Sequence, residues 1–201
     1  MVFNPDIHHR RSIRLQRYDY SSTGAYFVTI CVDGRECLFG DCMDGVMRLN
    51  PAGAIVRDIW GGLPERFSNV KMDEFMVMPN HFHGIVWIVG APLAAPDFKT
   101  PLAAPDLELK QNIIDAAGSQ GAASSQGAAS SAPTLGSIMR AFKSISAIEI
   151  NRILDRQGYA LWQRNYYERV IRDEKELDGV REYILHNPMK WADDENNPDV
   201  T

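Results

Sequence analysis

Apolar and polar positions alternate along GAYFVTICV (24–32), and the stretch is rich in β-branched and aromatic residues, which predicts a β-strand. VMRL at 46–49 predicts a second, short one. Beyond it the period lengthens. Ile55, Val56, Ile59, Trp60 and Leu63 recur at helical spacing and Pro51 sits at a first helical position, so 51–63 is predicted as an amphipathic helix. VKMDEFMVMP (70–79) and HFHGIVWIV (81–89) read as two strands, and Pro79-Asn80 between them as a tight turn, hence a hairpin. A helical pattern returns over 134–154 with Thr134 as N-cap. Ile138, Phe142, Ile145, Ile148 and Ile153 lie near helical spacing there, with Arg140 and Lys143 toward a different side. ALWQRNYYERVI (160–171) has the aromatic and β-branched content of an extended segment. The last helix opens at Asp173, with Glu176 three residues on in a capping-box pattern, and Pro188 marks its far end.

One stretch breaks these periods. From Gly90 to Pro133 the chain turns to Ala, Ser, Gly and Pro, with PLAAPD at 92–97 copied at 101–106 and SQGAAS at 119–124 copied at 125–130. Copies this short lie below any stacked helical repeat, and the composition cannot build a core. Residues 90–133 are therefore expected to form a low-complexity, disordered insert within a single domain spanning 1–201, with DLELKQNIID (106–115) a candidate for a transient helical turn. Strands, helix, hairpin, helix, extended segment and helix together predict an α+β sandwich, an antiparallel sheet packed with helices.

Composition narrows the class. A chain of 201 residues, 45 % apolar and 23 % charged, is long enough for one well-cored domain. No run approaches the roughly 18 apolar residues of a membrane span, and MVFNPDIHHRRSIRL lacks the apolar core of a signal peptide. A cytoplasmic protein with no membrane partner is expected. Cys31, Cys37 and Cys42 are odd in number and form no C-x-x-C pair, so they read as reduced thiols, not as a disulfide framework or a zinc knuckle. The net charge of −5 argues against coating duplex DNA by bulk attraction. The charge is uneven, however. HHRRSIRLQR holds Arg10, Arg11, Arg14 and Arg17 with no acid, and 135–172 holds Arg140, Lys143, Arg152, Arg156, Arg164, Arg169 and Arg172 against Glu149, Asp155 and Glu168. These two patches are candidate phosphate-binding surfaces, the alternative being ordinary solvated faces.

Candidate chemistry sits on two elements. His81 and His83 interrupt the apolar run MPNHFHGIVWIV (78–89), and the strand period of two puts both on one face with Phe82 opposite. On the last helix Leu177, Val180 and Ile184 form the apolar stripe, Tyr183 lies on its flank and Asn187 falls nearly on its centre line. Tyr183 and Asn187, four residues apart, share one face. A buried amide needs a partner, and two imidazoles and one amide oxygen can meet over the sheet. Two histidines on one strand face are, by themselves, more often core or surface residues than ligands.

Taken in order, MPNHFHGIVWIV, LGSIMRAFKS, LWQRNYYERVIRDEKEL and REYILHNPMKW resemble the REP-associated tyrosine transposases, relatives of the small single-strand transposases in the HUH nuclease superfamily. The resemblance runs from RRSIRL to NPMKW. It implies a ferredoxin-like sandwich in which His81 and His83 bind a divalent metal, Asn187 supplies a third ligand and Tyr183 is the nucleophile. Some relatives carry Gln where Asn187 stands, and the insert departs from compact relatives. The implied activity is that of a metal-dependent DNA transposase and single-strand endonuclease. It would cut and rejoin single-stranded DNA next to hairpin-forming repeats through a covalent 5′-phosphotyrosine intermediate, with Arg10, Arg11, Arg14, Arg140, Lys143, Arg164, Arg169 and Arg172 holding the DNA. Two imidazoles and an amide oxygen leave positions open for water and phosphate, which suits Mg2+ or Mn2+ better than a closed zinc site. The expected partner is single-stranded or hairpin DNA, with monomer and homodimer both open. A hairpin-binding module without turnover is the alternative.

These residue types suit that chemistry. A phenol with a pKa near 10 is mostly protonated at neutral pH and needs help to attack a phosphodiester. Tyr166 and Tyr167 are rival nucleophiles, but successive side chains of an extended segment point oppositely, so at most one is expected to face the site. His186 is a rival third ligand, angled off the stripe. Because imidazoles bind metal only when neutral, cutting is expected to fall below roughly pH 6.5 while DNA binding persists.

Overall fold

The computed structural model describes residues 22–89 and 133–200, and these stretches belong to one compact unit. Residues 90–132 of the 90–133 insert and the Arg10, Arg11 and Arg14 cluster lie outside the described residues. In chain order the elements are β1 (Gly24–Cys31), β2 (Gly40–Met43), β3 (Val46–Leu49), α1 (Pro51–Gly61), α2 (Leu63–Arg66), β4 (Val70–Val77) and β5 (His81–Ile88). After the insert come α3 (Leu135–Ile153), β6 (Tyr167–Ile171), α4 (Glu174–His186) and a 3-10 turn, Asn187–Asp193.

Four strands form one antiparallel sheet in the order β4-β5-β1-β6, while β2 and β3 make a separate two-stranded ribbon. Without the ribbon and the short α2, the run β1-α1-β4-β5-α3-β6 is the split βαβ pattern of a ferredoxin-like sandwich. The α+β expectation therefore holds, with α4 as an addition to the far side of the sheet.

The pleat of β1 and β5 sorts side chains into two cores. Val28, Ile30, Phe82 and Val86 face α1 and α3, where Trp60, Phe82 and Phe142 pack with ring centroids 4.5–5.2 Å apart. Gly84 on the same face is what lets Trp60 approach: a Cβ there would lie 2.6 Å from Trp60 Cζ2. Ala25, Phe27, Ile85 and Ile171 face the other way, against Leu177, Val180 and Ile184 of α4. The stripe on that last helix is thus buried as its spacing required.

Local signals explain the helix starts. Asn50 caps α1 by accepting from the Gly53 N–H, Thr134 caps α3 through Ser137 N–H, and Asp173 caps α4 through Glu176 N–H at 2.8 Å. Glu176 also reaches back, to the Arg172 N–H, one residue before the cap. The differences from expectation have physical causes. On α3 the buried positions are Leu135, Ile138, Met139, Phe142, Ser146, Ile150 and Asn151, whereas Ile148 and Ile153 are exposed. The polar Ser146 is admitted because its hydroxyl donates to Phe142 O and accepts from Trp162 Nε1 at 2.8 Å. Only 167–171 of the extended segment joins the sheet, and Trp162 makes an isolated bridge with Val32. Strand β2, GDCM, carries no apolar alternation and was invisible to pattern.

Candidate active site

Register places the key residues before any side chain is considered. β1 pairs with β5 so that Cys31 stands opposite His81 and Thr29 opposite His83, and with β6 so that Thr29 also stands opposite Tyr167. Cross-strand partners share a face. His81, His83, Thr29, Tyr167 and Phe27 therefore lie on the α4 side of the sheet, with Phe82 on the opposite side as the period of two predicted.

Both imidazoles are buried, and their ring centroids are 4.6 Å apart. Each has its Nδ1 engaged: His81 with Asn80 Oδ1 at 2.9 Å, His83 with Thr29 Oγ1 at 2.8 Å. The Asn80 amide nitrogen donates to Arg35 O and Asn196 O, which fixes its oxygen toward His81. His81 Nδ1 is then the donor, and Nε2 carries the lone pair. His83 adopts the same tautomer if the Thr29 hydroxyl accepts, as its oxygen is able to do. The two Nε2 atoms have no hydrogen-bond partner, and neither does Asn187 Oδ1. Buried polar atoms in this state are uncommon; Trp60 Nε1 and Asn151 Oδ1 are others among the described residues, but these three belong to the residues named from sequence. Among the described residues no three His, Cys, Asp or Glu side chains group to hold a metal, so the candidate ligand set is two imidazoles and an amide oxygen. That donor set fits a divalent cation that keeps other positions for water or phosphate.

The helix α4 delivers the rest. Asn187, at its C-terminal end, is buried, while Tyr183 one turn earlier is 42 % exposed. The Tyr183 ring stands 5.3 Å from that of His83 and 6.0 Å from that of Phe27. Burial raises the Tyr183 phenol above its ordinary pKa, the Asp194 carboxylate adds to this, and the Asn187 amide opposes it by favouring the phenolate. His186 projects away from the pair and lies 3.9 Å from Glu182.

Burial also depresses both histidines. His81 is pushed down to about 4, against smaller opposing influences from Asp194 and the Asn187 amide, and His83 is pushed well below the ordinary value by burial and by His81 itself. Free imidazole is therefore the wrong reference for acid sensitivity. His81 stays neutral well below pH 6.5, and the expected threshold moves down accordingly.

A cleft of ≈ 460 Å³ opens beside these groups, lined by Phe27, Thr29, Cys31, Arg35, His83, Gln163, Asn165, Tyr166, Tyr167, Tyr183, Glu195 and Asn196. Both rival tyrosines line it, which differs from the expectation of at most one. The alternation argument applies to Tyr167, the first residue of β6, but Tyr166 precedes the strand and packs against the helix-covered core from the cleft's edge. The basic candidates divide. Arg140, Arg164, Arg169 and Arg172 are exposed, with Arg169 paired to Glu176. Lys143 is half-buried, its ammonium donating to Gln163 O at 2.5 Å and Arg164 O at 3.1 Å.

Sequence reasoning missed several contributors. Thr29 is named only by strand register, although Asn80 sits beside His81 in the chain. The segment after α4 also closes the site: Trp191 lies 6.0 Å from the His81 ring, and Arg35 donates to Glu195 O at 2.7 Å. Nothing in its polar composition announced that role.

The fold and site define a ferredoxin-like α+β protein whose sheet carries a buried histidine pair beneath a helix bearing a tyrosine and an asparagine. No family model matches the chain. It is 38 % identical over 193 residues, 96 % of both chains, to an uncharacterised protein of Haemophilus influenzae strain Rd, and it belongs to the family of that protein. Among solved structures it is similar to a REP-associated tyrosine transposase bound to a REP hairpin, with TM-score 0.49 and 17 % identity, over 88 % of this chain and 73 % of that one. It is also similar to a candidate transposase from Deinococcus radiodurans R1, with TM-score 0.42 and 13 % identity, over 85 % of this chain and 94 % of that one.

Proposed function

We propose that this chain is a REP-associated tyrosine transposase, cutting and rejoining single-stranded DNA beside hairpin-forming repeats with Tyr183 as nucleophile. The observation that carries this reading is the trio of buried, partnerless atoms, His81 Nε2, His83 Nε2 and Asn187 Oδ1, beside a half-exposed tyrosine in an open cleft. These three atoms would hold Mg2+ or Mn2+, and such a cation supplies charge withdrawal from a non-bridging oxygen of the scissile phosphate.

The remaining work falls to the chain. Tyr183 Oη forms a bond to phosphorus as the bond from phosphorus to the 3′-oxygen breaks. The phenolic proton is lost to solvent and the leaving oxygen is protonated to a free 3′-OH. The 5′-phosphotyrosine link keeps the bond energy, so attack by another 3′-OH rejoins DNA without ATP. Asn80 and Thr29 orient the imidazoles from behind, which is the usual need of a metal-binding histidine. The exposed Arg140, Arg164 and Arg172 are available for the phosphate backbone, and Arg169 would join them by leaving its ion pair with Glu176.

The test is incubation with 3′-labelled hairpin DNA carrying a single-stranded flank. A Mg2+-dependent covalent adduct that survives a denaturing gel is expected. Hairpin binding with no adduct under any divalent metal would favour the alternative, a binding module without turnover.

A further inference from the structure

We infer that the cleft beside Tyr183 is a nucleobase pocket, receiving one unpaired base of the single strand next to the cut, stacked on Tyr167 and read by the side-chain amides of Asn165 and Gln163. The inference rests on the reading of the chain as a single-strand transposase and names the part of its substrate that this cleft takes.

The volume, ≈ 460 Å³, falls within the roughly 300–1,000 Å³ of clefts that hold small organic ligands, more than a phosphate alone requires. Its lining combines aromatic rings with side-chain amides. The ring of Phe27 has Tyr167 at 6.3 Å and Tyr183 at 6.0 Å, both steeply inclined to it. Tyr167 is 47 % exposed, so its ring is accessible to a stacking partner. Register aligns Tyr167 with Thr29 and His83 in one row across the sheet, so a base against Tyr167 lies beside the catalytic row. Bases of single strands stack on such rings, and their polar edges are matched by Asn and Gln amides.

The amides are available. Neither the Asn165 nor the Gln163 side chain has a hydrogen bond within the described residues, and both line the cleft. Their backbone is nonetheless fixed. Gln163 N donates to Cys31 O at 2.9 Å, and Lys143 ties down the Gln163 and Arg164 carbonyls. A wall held by its main chain with free side-chain amides is pre-organised for recognition. Lys143 is on this account a positioning residue of the cleft wall.

The test uses the full-length chain with Tyr183→Phe, expected to bind without cutting, and a short single-stranded oligonucleotide carrying one 2-aminopurine, whose fluorescence falls on stacking. Quenching and saturable binding are expected. Tyr167→Ala should weaken binding by roughly 5- to 150-fold and abolish the quenching, and Tyr167→Phe should restore both. Asn165→Ala and Gln163→Ala should flatten the preference among oligonucleotides that differ in that one base. Undiminished affinity and quenching in Tyr167→Ala, in a protein that still unfolds cooperatively, would overturn the pocket. Failure of the function reading looks different: there the wild-type chain binds and quenches the probe but forms no covalent adduct with any DNA.

Discussion

Asp73 tethers the helix that carries Tyr183, and neutralising it should loosen that helix. The carboxylate lies at an irregularity of β4 between Met72 and Phe75, where the strand's pairing with β5 shifts register. It accepts from Arg181 Nε at 2.9 Å and Nη2 at 2.7 Å, from Trp87 Nε1 at 2.9 Å and from the Glu74 N–H at 2.8 Å. The Arg181 guanidinium, opposed by partial burial and helped by the Trp87 and Glu74 donors, holds the Asp73 carboxyl down at about 2. From the ordinary 3.8 that is nearly two pKa units, or about 2.5 kcal/mol at ~1.4 kcal/mol per unit. Asp73 is 13 % exposed but Arg181 is 33 % exposed, so solvent screening reduces this to about 1–2 kcal/mol. A depressed carboxylate pKa stabilises the fold above the unfolded value near 4, and that contribution is lost as pH falls from about 4 to about 2. Asp73→Asn should therefore lower the unfolding free energy by about 1–2 kcal/mol at pH 7, measured by urea titration, with a gap to wild type that closes as pH falls through that window. Arg181 is two residues from Tyr183, so cutting should fall as well. Equal stability at pH 7, or a gap that stays constant to pH 2, would refute the argument.

Three further outcomes follow from named contacts. Gly84→Ala places a Cβ 2.6 Å from Trp60 Cζ2 and 2.8 Å from Phe82 Cε1, and overpacking of this kind should cost about 1–3 kcal/mol, read as a lower urea midpoint. Tyr183→Phe should abolish cutting while hairpin affinity stays within about threefold, since the ring still packs on Phe27; gel-shift titration checks it, and residual adduct would point to Tyr166 or Tyr167. Acid should separate binding from cutting only at low pH. With His81 held at about 4, Mn2+-dependent cutting should survive at pH 5.5 and fail as pH approaches 4, whereas loss already near 6.5 would show that the imidazoles titrate as free ones.

Period and capping made much of this molecule legible. Alternation placed β1, an apolar run placed β5, helical spacing placed α1 and α4, and Thr134 and Asp173 cap their helices as expected. His81, His83 and Asn187 could be grouped because a period of two and a helical wheel are each enough to assign a face. Tertiary pairing was needed for the remainder. Thr29 reaches His83 only through strand register, and Asp73 meets Arg181 only through the packing of α4 against β4. Ile148 and Ile153 read as core but are exposed, since helical spacing alone does not say which stripe the sheet will cover. Tyr166 escaped the alternation rule because β6 begins one residue later.

The most direct measurement is the identity of the residue that becomes joined to DNA. Wild-type protein incubated with single-stranded-flanked hairpin DNA and Mg2+ would be digested with nuclease and protease, and the nucleotide-bearing peptide sequenced by mass spectrometry. The phosphodiester link should fall on Tyr183, within REYILHNP, and should be absent when His81 and His83 are both replaced by Gln. A link on Tyr166 or Tyr167, or one that forms equally well in the double Gln variant, would contradict the account.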